Sequence, residues 1–199
     1  MVKEYNIGVI AIQGAISEHI KTIKRALFEE NLKGRVIPVK SKEQLNGLQG
    51  LVIPGGESTT ISRIIFKKDI HKKIIEKVEN NELSVMGTCA GCVILSKEIE
   101  DCTKDIRLLK LMKMKVQRNY FGRQKESFEQ IINIKGFKKP YTAVFIRAPI
   151  IEKVWDDCKV LSKIDKKIVM ARQKNMLALS FHPELTTDLR IHKYFLNMI

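Results

Sequence analysis

The sequence predicts an α/β fold, with a mostly parallel central sheet flanked by helices and a smaller antiparallel addition in the second half. Three observations carry this expectation. Through the first half, short apolar, β-branched runs alternate with segments of helical period. The first run, residues 6–12, lacks polar alternation, as strands covered on both faces do. Later, residues 168–172 and 176–181 flank Gln173, Lys174 and Asn175, a connection with the length and residue types of a hairpin turn. A chain of 199 residues that is 44% hydrophobic can fill a proper core, so one domain over residues 1–199 is expected.

Taken in order, the strand at 6–12 ends at Gln13-Gly14. Ile16, Ile20, Ile23 and Leu27 then recur at helical spacing through Glu30, with Lys21, Lys24 and Arg25 on other faces. Gly34 precedes a strand at 35–39, and Ser41 is placed to cap a short helical turn through Leu45. A third strand, 51–53, is closed by Pro54-Gly55-Gly56. Helices at 59–66 and 70–78, a break at Asn80-Asn81 and a fourth strand at 83–86 follow. Residues 93–95 read as the apolar start of a helix. The second half changes character: a strand within 110–116, a polar loop at 117–127, antiparallel strands at 128–134 and 141–147, the hairpin, and a closing helix at 189–198. Right-handed crossovers bring the loops at 13–14, 54–58 and 88–91 to one carboxyl edge of the sheet, where α/β proteins bind ligands.

Composition narrows the function. The balance of 36 Lys+Arg against 22 Asp+Glu gives +14, which suits an acidic partner. The basic residues are scattered in pairs such as Lys67-Lys68 and Lys138-Lys139, without the interleaved aromatics of a single-strand platform, so nucleic acid is not the expected partner. No apolar stretch approaches the length of a membrane span, and the run at 7–12 is too short for a signal peptide. Four cysteines make no disulfide framework, and a reducing cytoplasm fits them.

The chemistry centres on Cys89. A buried strand at 83–86, a turn crowded by Gly87, Ala90 and Gly91, and a helix form the order of a nucleophile elbow, where small neighbours permit a strained backbone. Two other readings stand beside it. Cys89 can be a small core residue, and Cys89-Ala90-Gly91-Cys92 can be a redox dithiol. A four-thiolate zinc site would need a second close pair, whereas Cys102 and Cys158 stand alone. A nucleophilic thiol needs a base. Of the four histidines, His71 and His192 lie in charged helical stretches and are expected at the surface, and His19 lies near the start of the first helix. His182 lies just past a strand, before Pro183, and in an extended segment it shares a side with Glu184. That supplies nucleophile, base and orienter. The N–H of Ala90 and the turn at Gly55-Gly56 are the candidate oxyanion donors.

PGGEST at 54–59, GTCAG at 87–91 and SFHPE at 180–184 resemble the class I, triad-type glutamine amidotransferases. More narrowly, the chain resembles the glutaminase subunits of pyridoxal phosphate synthases. That match rests on AIQGAISEH at 11–19, PGGESTTI at 54–61, RNYFGRQKESFE at 118–129, FIRAP at 145–149 and SFHPELTTDLRIHKYFL at 180–196. The resemblance implies a flavodoxin-like fold and hydrolysis of L-glutamine to glutamate and ammonia, without cofactor or metal. In it, Cys89 attacks the side-chain amide, His182 moves the proton and Glu184 orients His182. Gly55, Gly56 and Ala90 form the oxyanion hole, and Gly56, Glu57, Ser58, Arg118, Ile146 and Arg147 hold glutamine. The ammonia passes to a separate (β/α)8-barrel synthase subunit within a large hetero-oligomer, and Gln13, Gly14 and Ser17 fall in the interface.

The resemblance leaves neighbours to distinguish. One is an amidotransferase subunit serving another pathway, such as imidazole glycerol phosphate synthesis, against which the block at 118–129 argues. Another is a cysteine hydrolase or peptidase of similar architecture. Two features depart from the family pattern: Cys92, where a small or apolar residue is more usual, and the basic run at 110–115. The +14 charge has two explanations, docking to an acidic face of the synthase or a lysine-rich composition.

Overall fold

The computed structural model describes residues 4–100, 106–118, 120 and 127–199. Its first half alternates as expected: β1 (Tyr5–Ile10), α1 (Ile16–Glu29), β2 (Gly34–Val39), a 3-10 turn at Glu43–Leu45, β3 (Gly50–Ile53), α2 (Ser58–Lys67), α3 (Ile70–Glu79), β4 (Ser84–Thr88) and α4 (Ala90–Leu95). Then come β5 (Ser96–Ile99), β6 (Met112–Gln117), β7 (Ser127–Ile132), β8 (Tyr141–Ile146), β9 (Ile150–Val154), β10 (Lys159–Ile164), β11 (Lys167–Gln173), β12 (Met176–Leu179) and α5 (Arg190–Leu196). Among the described residues no helix is long and apolar enough to cross a membrane.

The strand order β2-β1-β3-β4-β12 is parallel throughout. Period-two alternation sorts its side chains into two cores. Leu51 and Ile53 of β3 face one core, with Ile61 and Ile65 of α2 and Ile70 and Ile74 of α3. Val52 between them faces the other, with Ile23 and Leu27 of α1 and Ile191 and Phe195 of α5. Each such fully buried side chain contributes roughly 1.5–3 kcal/mol. The helices therefore cover both faces, and the carboxyl edge of the strands is left for a site.

The antiparallel part is larger than the sequence predicts. β12 continues through β11, β9 and β6 in antiparallel pairs, with β10 on β11 and β5 parallel to β6, all in the same sheet. Only β7 and β8 stand apart as a small antiparallel sheet, with Phe128 opposite Phe145. The sheet is therefore mixed rather than mostly parallel. β5, β9 and β10 escape a sequence reading because charged residues interrupt each of them and their apolar runs are short. The hairpin is tighter than expected: Gln173 already pairs with Met176, leaving Lys174 and Asn175 to turn.

Two further expectations are corrected. The helix after the elbow begins at Ala90 and ends at Leu95, where the Ser96 hydroxyl donates to the Val93 carbonyl at 2.8 Å; residues 93–95 close it rather than open it. His192 is not a surface residue, and His71 is half-buried rather than fully exposed. The ring of His71 stacks on Phe66 at 4.1 Å between centroids. His192 is fully buried on α5, its ring 5.9 Å from that of His19. Their helices carry charge on one face only, and these histidines lie on the other. The basic run has a similar explanation: on β6, Met112, Met114 and Val116 point inward, while Lys113 pairs with Asp156 and Asp157 and Lys115 with Glu152. Cys102 and most of the loop at 117–127 lie outside the described residues.

Burial, with the nearby His19 ring second, pushes the His192 imidazole down to about 3. The unfolded chain then binds a proton that the folded chain refuses between pH 6.5 and about 3. Stability is therefore full above that window and falls as pH drops through it, by at most about 1.4 kcal/mol per pH unit. His192→Leu should flatten this slope, read from urea midpoints measured across the acid range.

Candidate active site

β4 ends at Thr88 and α4 starts at Ala90, so Cys89 alone makes the turn, at φ 47° and ψ −99°. L-residues rarely adopt such a backbone, and it persists only where surrounding structure over-determines it. Here the determinants are visible. A Cβ on Gly91 would stand 2.1 Å from the Ile53 carbonyl oxygen, and one on Gly87 would stand 2.6 Å from the Gly91 carbonyl. Strand β3 and α4 touch backbone to backbone, which only small residues allow. The Cys89 N–H donates to the Leu179 carbonyl at 2.8 Å, and its own carbonyl accepts from the Val93 N–H at 3.3 Å. The thiol is half-buried and lies 3.8 Å from the Ile146 carbonyl oxygen.

His182 leaves the end of β12 and is pinned sideways to the small sheet, its N–H donating to the Val144 carbonyl at 2.8 Å. Pro183 opens a 3-10 turn, Pro183–Leu185, that carries Glu184 back under the imidazole. His182 Nδ1 lies 2.7 Å from Glu184 Oε1, with both residues buried. Gly55 shows that the imidazole and the sulfur converge: a Cβ there would meet His182 Cε1 at 2.3 Å and Cys89 Cβ at 3.3 Å. Burial pushes the His182 imidazole down, but the facing Cys89 and the hydrogen-bonded Glu184 outweigh it and raise it to about 10. Burial works against ionised Glu184 as well, yet the facing His19 and His182 hold its carboxyl below the usual range. An imidazole of raised proton affinity, backed by a carboxylate, thus faces the Cys89 side chain.

The loops predicted to converge do so. A cleft of about 610 Å³ lies at the carboxyl edge, lined by Gly14, Cys89, Ala90 and His182. Gly56, Glu57, Ser58, Arg118, Ile146 and Arg147 also line it. Arg147 follows β8 at φ 43°, a second strained residue at the rim. Hydroxyls of Thr59 and Thr60 donate to the Glu57 carboxylate and hold it low. The Gly55 N–H donates to Thr88 Oγ1 at 3.0 Å, so it is already engaged. The Gly55 carbonyl accepts from the Ala15 N–H at 3.4 Å, which turns the Gly56 N–H the opposite way across the trans peptide. Gln13 and Ser17 are exposed beside the cleft, outside its lining. Cys92 is fully buried beneath the elbow, and burial pushes its thiol far up. Among the described residues no group of three or more His, Cys, Asp or Glu is placed to hold a metal ion.

Two residues of the site escaped the sequence reading. His19 is fully buried, with Nε2 3.3 Å from Glu184 Oε2 and 3.1 Å from Thr88 Oγ1. The signal was available: His19 is three residues after Ile16 and four before Ile23, on the apolar stripe of α1. Thr88 gave none, since its role depends on a loop from another strand.

The chain matches the SNO glutamine amidotransferase family over residues 9–199. It is 47% identical over 195 residues to a Methanosarcina barkeri protein named pyridoxal 5'-phosphate synthase subunit PdxT, covering 97% of each chain. A Pyrococcus furiosus protein of the same name is 46% identical over 194 residues, covering 97% of this chain and 98% of its own. A solved structure described as a glutamine amidotransferase superposes with a TM-score of 0.86 at 41% identity, covering 96% of this chain and 97% of that one.

The backbone contact under the elbow yields a prediction. Gly91→Ala must push β3 and α4 apart and should cost about 2–4 kcal/mol of stability, read as a lowered urea midpoint.

Proposed function

The chain belongs to the SNO glutamine amidotransferase family, and from that premise we propose that it is the glutaminase subunit of a pyridoxal 5'-phosphate synthase. It hydrolyses L-glutamine to L-glutamate and ammonia, and the ammonia is channelled to a partner synthase subunit, a (β/α)8 barrel, in a large hetero-oligomer. Identity of 46–47% over nearly full length to proteins named as subunits of that synthase supports the pathway. The observation that carries the chemistry is the 2.7 Å His182–Glu184 pair closing on Gly55 beside a thiol held at positive φ.

The reaction follows the geometry. Cys89 Sγ attacks the amide carbon of the substrate side chain, and His182 accepts the thiol proton and delivers it to the departing ammonia. Glu184 holds the imidazole in orientation and balances its charge. Water then cleaves the glutamyl thioester. The oxyanion donors in this reading are the N–H groups of Ala90 and Gly56. Gly55 contributes by lacking a side chain, since its own N–H is bound to Thr88. Arg118 and Arg147 at the rim suit the α-carboxylate of glutamine, which a guanidinium can grip through two bonds. Gly56, Glu57, Ser58 and the Ile146 backbone complete the cradle.

Residues 1–199 serve as one glutaminase domain in this reading, and the thiols of Cys89, Cys92 and Cys158 are all free, as a cytoplasmic protein requires. Gln13, Gly14 and Ser17 lie at the mouth of the site, where a partner receiving ammonia would dock. Lys21 and Lys24 are exposed further along the same helix, so an acidic docking face fits.

Glutamate release, assayed with and without the synthase subunit, tests the reading. Cys89→Ala should abolish it, and Cys92→Ala should leave it within about threefold of wild type because that thiol is buried and inert; equal loss in both would favour the dithiol. Assembly with the synthase should weaken as salt rises from about 0.1 M to 1 M, where the Debye length shrinks from about 10 Å to 3 Å. Sedimentation velocity across that range measures it, and an unchanged complex would remove the electrostatic account of the charge.

A further inference from the structure

His19 sits where three parts of the site meet, and nothing in the reaction outlined above uses it. It comes from α1, yet its Nε2 lies between Glu184 Oε2 and Thr88 Oγ1, at 3.3 and 3.1 Å. The other carboxylate oxygen, Oε1, is the one that holds His182. The Thr88 hydroxyl in turn accepts the Gly55 N–H at 3.0 Å. Its second ring nitrogen, Nδ1, is buried and faces no hydrogen-bonding group among the described residues. The ring's hydrogen bond is the Nε2–Thr88 contact, which places the proton of a neutral imidazole on Nε2; Glu184 Oε2, though near, accepts no hydrogen bond.

We propose that His19 is a positioning residue for the glutaminase reaction: its ring walls in the free oxygen of Glu184 at 3.3 Å while its Nε2 is hydrogen-bonded to Thr88, which holds the Gly55 turn. This rests on the glutaminase reading above. The arrangement works because the ring carries no charge. A cationic group at this place would compete with His182 for the carboxylate, whereas a neutral ring confines Oε2 and leaves the charge to the imidazolium. Burial lowers the basicity of His19 against the pull of Glu184, in keeping with a neutral ring. The same ring sets two distances at once. The ring blocks Oε2 from swinging further inward, and the Gly55 turn cannot lift without taking Thr88 from Nε2. One side chain on α1 thus ties the base to the turn that packs against both His182 and Cys89.

The test is steady-state glutamate release by the full chain saturated with its synthase subunit. His19→Leu should lower kcat about ten- to a hundredfold with KM within about threefold, the scale of losing a group that orients a reacting side chain. His19→Gln, whose amide nitrogen reaches the position of Nε2, should recover most of that loss. Thr88→Val keeps the volume but removes the hydroxyl, and its loss should not add to that of His19→Leu. A wild-type kcat in His19→Leu, or equal losses in the Leu and Gln variants, overturns the proposal. Should His19→Leu fail to fold, a His19→Gln enzyme near wild-type kcat beside a slowed Thr88→Val supports the proposal, whereas wild-type kcat in Thr88→Val, or a Gln variant as slow as Cys89→Ala, overturns it. The Cys89→Ala control separates the two levels. Turnover surviving in it removes the glutaminase site itself, while an inert Cys89→Ala beside a fully active His19→Leu removes only the role of His19.

Discussion

A carboxylate withdrawn from water organises the site. Ionised Glu184 is buried, and an isolated buried ion costs several kcal/mol even after relaxation. The fold meets that cost with two imidazoles: His182 is hydrogen-bonded to one oxygen, and the His19 ring lies 3.3 Å from the other, which accepts no hydrogen bond. Satisfying one buried charge this way requires α1, the 3-10 turn after β12 and the end of β4 to arrive within hydrogen-bonding distance of one another. The requirement reaches further, because Thr88 at the end of β4 is also the acceptor for Gly55. Three strand ends and helix α1 are thereby tied through side chains as well as through the sheet ladder, and a shift in any one is felt at the others.

The thiol depends on a different constraint, one of space. Cys89 stays at positive φ because α4 lies directly on β3, with Gly91 over the Ile53 carbonyl. That contact lifts the sulfur off the line of the helix and toward the imidazole. The carboxylate network then gives the imidazole its high proton affinity, so steric strain presents the thiol and electrostatics supply its base. Neither contribution replaces the other: a relaxed turn would carry the sulfur away from the base, and a solvated carboxylate would weaken its hold on the imidazole.

Much of this is legible in the amino acids, for identifiable reasons. The elbow can be read because its constraint is local: small residues two positions either side of Cys89. His182 and Glu184 can be read because Pro183 between them fixes a short geometry. His19 and Thr88 act across 69 residues, and that pairing has no local trace. His19 did leave a partial one, a histidine on an apolar stripe. The antiparallel half is the least legible part of the fold. β9 and β10 mix charged and polar residues among short apolar runs, and such strands look like solvated loop until a neighbour covers them. The wrong placement of His192 has the same origin, since its charged neighbours describe the outer face of α5 and the histidine is on the inner one.

The mixed architecture divides the work in a way that bears on specificity. The parallel strands bring the sulfur, the Gly55-Gly56 turn and the imidazole to one edge, and in the proposed glutaminase reaction that arrangement needs nothing from the substrate beyond a carbonyl. In the same proposal, what distinguishes one amide from another lies elsewhere. Ile146 and Arg147 come from the end of β8, in the small sheet that belongs to no other part of the fold, and Arg118 follows the end of β6 in the antiparallel half. One bond joins the base to the small sheet, the His182 N–H to the Val144 carbonyl on β8. That bond fixes the base relative to the strand that carries the substrate-facing backbone. A fold of this kind can change its substrate by redrawing β8 and its neighbours while leaving the thiol, imidazole and carboxylate where they are, so sharing the parallel half alone says little about what a related chain hydrolyses.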